Sequence, residues 1–413
     1  GAIDWLPLHA NLLSQNSRPE EACVLQQQRC ATHPQDPEAW NDLGLTLDAL
    51  NRLPEALEAF DRALVALQQS AFAPDAPAGG AAAAIPLSRE RMPLVYQVRF
   101  HRTLSLLKQG DFARGWPEYS TRWERRAQDF RHVFTMPAWQ GESLEGRHLI
   151  LAIEQGMGDN LQCLRYLPLL RARYPSLRLT LAATQALAPL LHGWPGVERL
   201  LVEGDPLPAA DYYSLLMDLP LRFGTDLATI PAAVPYLRVA PAVAATWAER
   251  VQDVARGRYT VGLAWQGNPK YEHDHHRSFP LAVLAPLFTR PDIAWVRLQQ
   301  GFGSEQLDGQ AYPIMDMDNP ERPRDLLDTA ALVQALDLVI TPDSMLAHLA
   351  GALARPVWVP LSYRGEWRWL TEREDSPWYP TLRLFRQAHP GDWAGVVARM
   401  DMALGDIARH RRS

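Results

Sequence analysis

His148-Leu149-Ile150-Leu151-Ala152-Ile153-Glu154-Gln155-Gly156-Met157-Gly158-Asp159-Asn160 runs from an uninterrupted apolar segment, through two closely spaced glycines, into a stripe of Leu161, Leu164 and Leu167. A short apolar run ended by a glycine turn and continued by helical periodicity reads as a buried strand feeding a helix, the repeating unit of a parallel α/β sheet. The pattern recurs: strands are expected at 148–153, 178–183, 198–202 and 213–217. A Pro-rich passage at 220–241 then reads as an interdomain connection, and a second series of strands is expected at 259–265, 294–299, 338–341, 356–360 and 381–385. Two successive Rossmann-like, doubly wound domains imply a ligand cleft between the carboxyl ends of their strands.

Upstream the period changes. Residues 20–68 read as helical hairpins, with turns at His33-Pro34 and at Asn51-Arg52-Leu53-Pro54. Trp40, Leu43, Gly44, Leu47, Ala56, Phe60 and Ala63 fall at the spacings of the 34-residue tetratricopeptide pattern, and a weaker copy spans 99–126 around Gly110-Asp111-Phe112. So few repeats do not make a free-standing solenoid, which needs roughly three or more, so packing of the repeats against the α/β part of the chain is expected. Residues 73–86, rich in Ala, Gly and Pro, read as a flexible insertion. The expected division is 1–135 for an all-α tetratricopeptide-like helical module, 136–240 for an N-terminal Rossmann-like domain and 241–413 for a C-terminal one.

Composition narrows the partners. The chain has 413 residues, 47% of them hydrophobic and 21% charged, and a formal net charge of −6. That length exceeds what one core usually supports, and the charge gives no global drive toward nucleic acid or an anionic membrane. Cys23, Cys30 and Cys163 form no C-x-x-C pair. A disulfide scaffold and a zinc site are therefore not expected, and a reducing, cytoplasmic location is. No apolar stretch is long enough to cross a membrane, and the N-terminal residues lack the pattern of a signal peptide.

Three segments carry candidate chemistry. In the first, Gly156 and Gly158 permit close backbone approach to a ligand and Asp159 projects into the cleft, either as a catalytic carboxylate or as an ordinary helix cap. The second is Trp265-Gln266-Gly267-Asn268-Pro269-Lys270, continuing to Arg277-Ser278, where Lys270 and Arg277 are placed to hold a phosphate on a loop at a sheet's carboxyl edge. His273, His275 and His276 lie in the same loop without a carboxylate or Cys at ligand spacing, and read as solvated rather than metal-binding. In the third, Asp328-Thr329-Ala330-Ala331 opens a helix. Strand 338–341 then leads into Asp343-Ser344-Met345-Leu346-Ala347-His348, where Asp343 or Ser344 would cap a helix whose N–H groups and positive end face the cleft. His348 either meets the same ligand or satisfies a buried carbonyl. The aromatic segments 356–360, 366–370 and 376–380 read as packing, with Arg364, Arg368 and Arg386 as candidate phosphate contacts.

Together, Gly156-Met157-Gly158-Asp159, Trp265-x-Gly-Asn268 with Arg277-Ser278, Asp328-Thr329-Ala330 and Asp343-Ser344-x-x-x-His348-Leu349-Ala350-Gly351-Ala352 resemble bacterial tetratricopeptide-repeat proteins whose C-terminal part is similar to the family 9 glycosyltransferases, the heptosyltransferases. The resemblance spans about residues 20–400. It implies a GT-B type fold and inverting, metal-independent transfer of a sugar from a nucleotide-diphosphate sugar to a hydroxyl of a glycan or protein acceptor, with no cofactor. By matching, Asp159 is the general base. Lys270, Arg277, Gln299, Asp343, Ser344, Met345 and His348 bind the donor; Gly156, Gly158, Trp265 and Asn268 shape the loops. The helical module would select the acceptor or a protein partner.

Two departures stand out: Ser344 replaces the family's Thr, and Leu298-Gln299-Gln300 lacks the Lys of the usual Leu-Gln-Lys. The cysteine-rich metal motif of the dodecameric autotransporter heptosyltransferases is absent, so their assembly is not carried over. Two rivals remain open: a non-catalytic scaffold with a degenerate transferase half, and an enzyme resembling protein O-linked N-acetylglucosamine transferases.

Overall fold

The structure is a computed structural model that describes Leu13 and residues 18–71, 92–122, 133–271, 273–319 and 321–412. The insertion expected at 73–86 and the end of the weaker repeat copy lie outside the described residues. The chain divides into two compact units: Gly1–Val133 with Gly224–Ala228 and Tyr363–Glu372, and Phe134–Phe223 with Thr229–Ser362 and Arg373–Ser413. No helix among the described residues is long and apolar enough to cross a membrane.

The first unit is helical: α1 (Pro19–Thr32), α2 (Pro37–Ala49), α3 (Leu53–Ala71), α4 (Met92–Gln109) and α5 (Phe112–Tyr119), each packed on its successor. Asp36 starts α2 by accepting from the Glu38 N–H at 3.0 Å, with Pro37 in the first turn, where a missing N–H costs nothing. Leu43, Leu47, Ala56, Phe60 and Ala63 all lie in one buried cluster with Cys23, Cys30 and Val98, so the small-and-large alternation read in the sequence fills the seam between α2 and α3. Burial pushes the Cys30 thiol up to about 12, which leaves it unreactive near neutral pH.

A polar seam joins α2 to α4. His101 Nδ1 lies 2.8 Å from Asn41 Oδ1, and the Ser105 hydroxyl donates to Asp48 Oδ1 at 2.8 Å. Lys108 Nζ reaches Asp48 Oδ2 at 3.2 Å and its carbonyl at 2.8 Å. Burial pushes the Asp48 carboxyl up, but Lys108, Arg364 and Ser105 more than reverse that and hold it below the usual carboxylate value. The segment Tyr363–Glu372 completes this unit. Asn51 Nδ2 donates to the Tyr363 carbonyl at 2.8 Å, Arg364 Nε lies 3.8 Å from Asp48, and the Trp367 ring meets Trp116 edge-on at 5.4 Å between centroids.

The second unit holds two wholly parallel sheets. The first contains β1 (His148–Ala152), β2 (Arg178–Ala183), β3 (Arg199–Val202) and β4 (Tyr212–Leu215), in the order β3-β2-β1-β4. The second contains β5 (Tyr259–Leu263), β6 (Ile293–Arg297), β7 (Ile314–Met315), β8 (Leu338–Ile340), β9 (Val357–Leu361) and β10 (Leu382–Arg386), in the order β10-β9-β8-β5-β6-β7. All nine strands read from the sequence are present, 178–183 with the same ends and the others with shifted ones, and β7, only two residues long, was not expected. Helices flank the sheets: α6 (Met157–Cys163) comes after β1, α10 (Pro241–Ala255) precedes β5, α12 (Leu326–Ala335) precedes β8, α13 (Met345–Ala352) comes after β8 and α14 (Trp393–Arg412) ends the described residues; α7 to α9 and α11 are Tyr166–Arg173, Ala188–Leu191, Leu219–Arg222 and Asp274–Arg277.

Strand order fixes where a ligand fits. In the first sheet the chain runs from β1 out to β3 and returns to the other side of β1 at β4. In the second it runs from β5 out to β7 and returns at β8. Each reversal leaves a crevice at the carboxyl ends of the two strands it separates, where no crossover helix covers the edge. The turn after β1, the loop after β5 and the start of α13 lie at those ends.

Candidate functional site

The turn after β1 is held by the side chains of Asn160 and Asp159. Asn160, buried in the first turns of α6, accepts from the Glu154 N–H at 2.9 Å and donates to the carbonyls of Glu154 and Gly156 at 2.6 and 2.8 Å. Gln155 sits in the left-handed region at φ 57°, a conformation unfavourable for a residue with a side chain. Asp159 is half-buried, and its Oδ2 accepts from the Gly156 N–H at 2.9 Å. The carboxylate is thus a helix cap by one oxygen and is aimed by that bond.

The loop after β5 is longer and braced from several directions. Gln299 Oε1 accepts from the Trp265 and Gln266 N–H groups, both at 3.0 Å, and its Nε2 donates to the Gln266 carbonyl at 3.1 Å and the Phe302 carbonyl at 2.6 Å. An amide with two donors and two lone pairs is fully spent by these four bonds, so Gln299 holds the loop rather than a ligand. Trp265 is likewise a core residue, fully buried with its indole donating to the Gly303 carbonyl. Ser278 accepts from the Gly267 N–H at 2.8 Å and donates to buried Asp274 at 2.7 Å. Arg277 pairs with Asp274 through Nε at 2.9 Å and donates from Nη1 to the Asp343 carbonyl at 2.9 Å. Asn268 turns the loop by accepting from the Lys270 N–H at 3.0 Å, and Lys270 itself is exposed.

At the third element Ser344 is the cap: its hydroxyl accepts from the Leu346 N–H at 3.3 Å and lies 2.9 Å from the Thr341 hydroxyl. His348 is buried, with Nδ1 2.9 Å from the Tyr379 hydroxyl, so it serves the interior of the unit. Burial pushes the Tyr379 phenol well above its ordinary value, which keeps that hydroxyl protonated. A Cβ placed on Gly158 would lie 2.7 Å from His348 Cδ2 and 3.4 Å from Met345 Cα. Only a glycine lets the turn after β1 come this close to the first turn of α13.

The structure therefore brings Gly158 onto Met345 and His348, and Arg277 onto Asp343. Three expectations are corrected. Asp328 does not open its helix: α12 begins at Leu326, capped by Asp325, while Asp328 accepts from the Trp247 indole at 2.9 Å. Arg364 and Arg368 belong to the helical unit, where Arg368 is buried against Glu366. Arg386 donates to the Arg373 carbonyl at 2.8 Å, and burial lowers its guanidinium to about 10. The aromatic segments are packing, as Trp358, Trp367, Trp369, Trp378 and Tyr379 are all buried.

Residues not singled out from the sequence prove central. Arg165 is buried beneath Tyr236, Trp378 and Tyr379 and donates to the Trp378 carbonyl at 2.7 Å. Asp274 anchors both Arg277 and Ser278, at spacings of three and four residues that were readable as one helical turn. No group of three or more His, Cys, Asp or Glu able to hold a metal occurs among the described residues.

No protein-family model matches the chain. It is 28% identical over 437 residues to Protein FlbA of Caulobacter vibrioides (strain ATCC 19089 / CIP 103742 / CB 15), covering 96% of this chain and 72% of that protein. Among solved structures it is similar to the glycosyl transferase family 9 from Veillonella parvula DSM 2008, with a TM-score of 0.48 and 10% identity over 65% of this chain and 98% of that one. It is also similar to E. coli ADP-heptose lps heptosyltransferase II, with a TM-score of 0.42 and 17% identity over 64% of this chain and 99% of that one. At these scores the fold rests on the two sheets themselves.

Proposed function

We propose that the chain is an inverting glycosyltransferase of GT-B type that moves a sugar from a nucleotide-diphosphate sugar to a hydroxyl of a glycan or protein acceptor in the cytoplasm, without a cofactor or metal. Residues 136–240 form the acceptor side, 241–413 the donor side and 1–135 a tetratricopeptide-like module that meets the acceptor or a protein partner. The observation that carries this reading is the approach of Gly158 to Met345 and His348, which sets the turn bearing Asp159 against the helix start that would receive a diphosphate.

Asp159 takes the proton of the acceptor hydroxyl as that oxygen attacks the anomeric carbon. The bond to the diphosphate breaks on the opposite face. Charge developing on the leaving group meets the N–H groups at the start of α13 and Arg277, whose Nη2 is not used by its bonds to Asp274 and Asp343. Lys270 supplies a second, movable cation. Asp343 and Ser344 shape the helix start, Met345 and His348 set its distance from Gly158, and Asn268 sets the Lys270 turn. The scaffold alternative draws on the bond between Asp159 and Gly156, which gives the carboxylate a structural task of its own.

A thermal-unfolding panel with ADP-, UDP-, GDP- and dTDP-sugars separates the two. Ligand binding to the native state raises the melting temperature, by about 2.7 kcal/mol of stabilisation at a hundredfold excess over Kd. The transferase reading expects a shift with at least one donor. A panel without any shift supports the scaffold.

A further inference from the structure

We propose that Phe302 is the stacking surface for the base of the nucleotide donor, an inference that rests on the donor reading of this site. Phe302 stands on the turn after β6 and is 49% exposed, although phenylalanine is among the residues most often buried. The exposure is built. Gly301 and Gly303 flank it at φ 63° and 83°, conformations that glycine adopts without strain. The Phe302 carbonyl is held by Gln299 at 2.6 Å, and the Gly303 carbonyl by the Trp265 indole at 3.0 Å. A Cβ on Gly303 would sit 2.7 Å from Gln266 Oε1, so the turn is pressed against the neighbouring loop. A hydrophobic ring that could have turned inward is instead pinned outward on a rigid turn, at the carboxyl edge where ligands of such sheets bind.

The neighbouring loop adds charge. Lys270 Nζ lies 6.0 Å from the Phe302 ring centroid, and the second exposed aromatic, Tyr271, carries the Arg277 guanidinium 4.9 Å from its own ring centre. Gln299 ties both loops, which fixes the spacing between the turn that bears the ring and the start of the loop that bears the cations. A flat apolar face beside Lys270, on a turn tied to the loop that leads to Arg277, matches a molecule with a planar ring at one end and a diphosphate at the other, namely a nucleoside diphosphate. Stacking tolerates any base, so this residue contributes affinity, with the choice of base left to hydrogen bonds.

The test is equilibrium binding of ADP, UDP, GDP and inorganic pyrophosphate to the full chain and to Phe302→Ala, Phe302→Leu and Phe302→Trp. The tightest nucleoside diphosphate should weaken about tenfold in the Ala and Leu variants. The Trp variant should keep its affinity, and pyrophosphate affinity should stay unchanged in all three. Wild-type affinity for the nucleoside diphosphate in Phe302→Leu overturns the proposal, as does a parallel loss of pyrophosphate, which would make Phe302 a strut of the loop. Absence of nucleoside diphosphate binding by the wild-type chain overturns the donor reading itself, a different result from either.

Discussion

The turn after β1 and the loop after β5 open equivalent crevices in the two sheets, yet they are built on opposite plans. The first is short, carries an acid and is held by the carboxamide of Asn160 together with the acid itself. The second is long, carries Lys270 and Arg277, and is braced by Asp274, Ser278 and Gln299 from three directions. A short turn fixes a carboxylate tightly but cannot reach far. A long braced loop carries its cations on a backbone that is held in place. Under the proposed function, the difference would give proton transfer to one sheet and anion binding to the other.

The largest effect should come from removing the acid. Asp159→Asn keeps an oxygen for the Gly156 N–H, so donor affinity and melting temperature should hold while single-turnover transfer falls by about 10²–10⁴-fold. Retained turnover would leave Asp159 as a cap only, and the contrast between the crevices would vanish. Next, Arg277→Met should lower nucleoside diphosphate affinity by about a hundredfold by removing charge-assisted bonds, and Arg277→Lys should not restore it, because lysine lacks the forked geometry that serves Asp274, Asp343 and a phosphate together. An unchanged affinity in titration calorimetry would reduce Arg277 to a loop strut. The smallest effect belongs to the junction: Gly158→Ala drives a methyl into His348 and should cost about 1–3 kcal/mol in urea unfolding. Adding His348→Ala should recover part of that, and purely additive losses would show that the two do not touch.

Much of this was legible from local pattern. The strands stand out because buried parallel strands are short continuous apolar runs bounded by turn residues, and β7 escaped because Ile314–Met315 is too short to show a pattern. The Asp328 misreading has a local cause: Asp325 and Asp328 both precede the apolar stripe, and Pro323 allows either start. Gln299 was read as a donor contact for a different reason. Its partners Trp265 and Gln266 follow another strand, and nothing in a linear sequence tells an amide bonding a distant backbone group from one awaiting a ligand. The same limit hid Arg165, whose ring partners come from far along the chain, and hid the membership of Tyr363–Glu372 in the helical unit. Asp159 was ambiguous in sequence between cap and base, and the geometry shows it capping the turn through one oxygen.

The helical unit is assembled from three separate stretches of chain, with Trp116 and Trp367 meeting inside it. Such a unit cannot be acquired, lost or exchanged by one recombination event at a single boundary. Its inheritance is bound to that of the sheet between whose strands β9 and β10 its third stretch is threaded, and substitutions at the two tryptophans should be found to change in concert among descendants of a common ancestor.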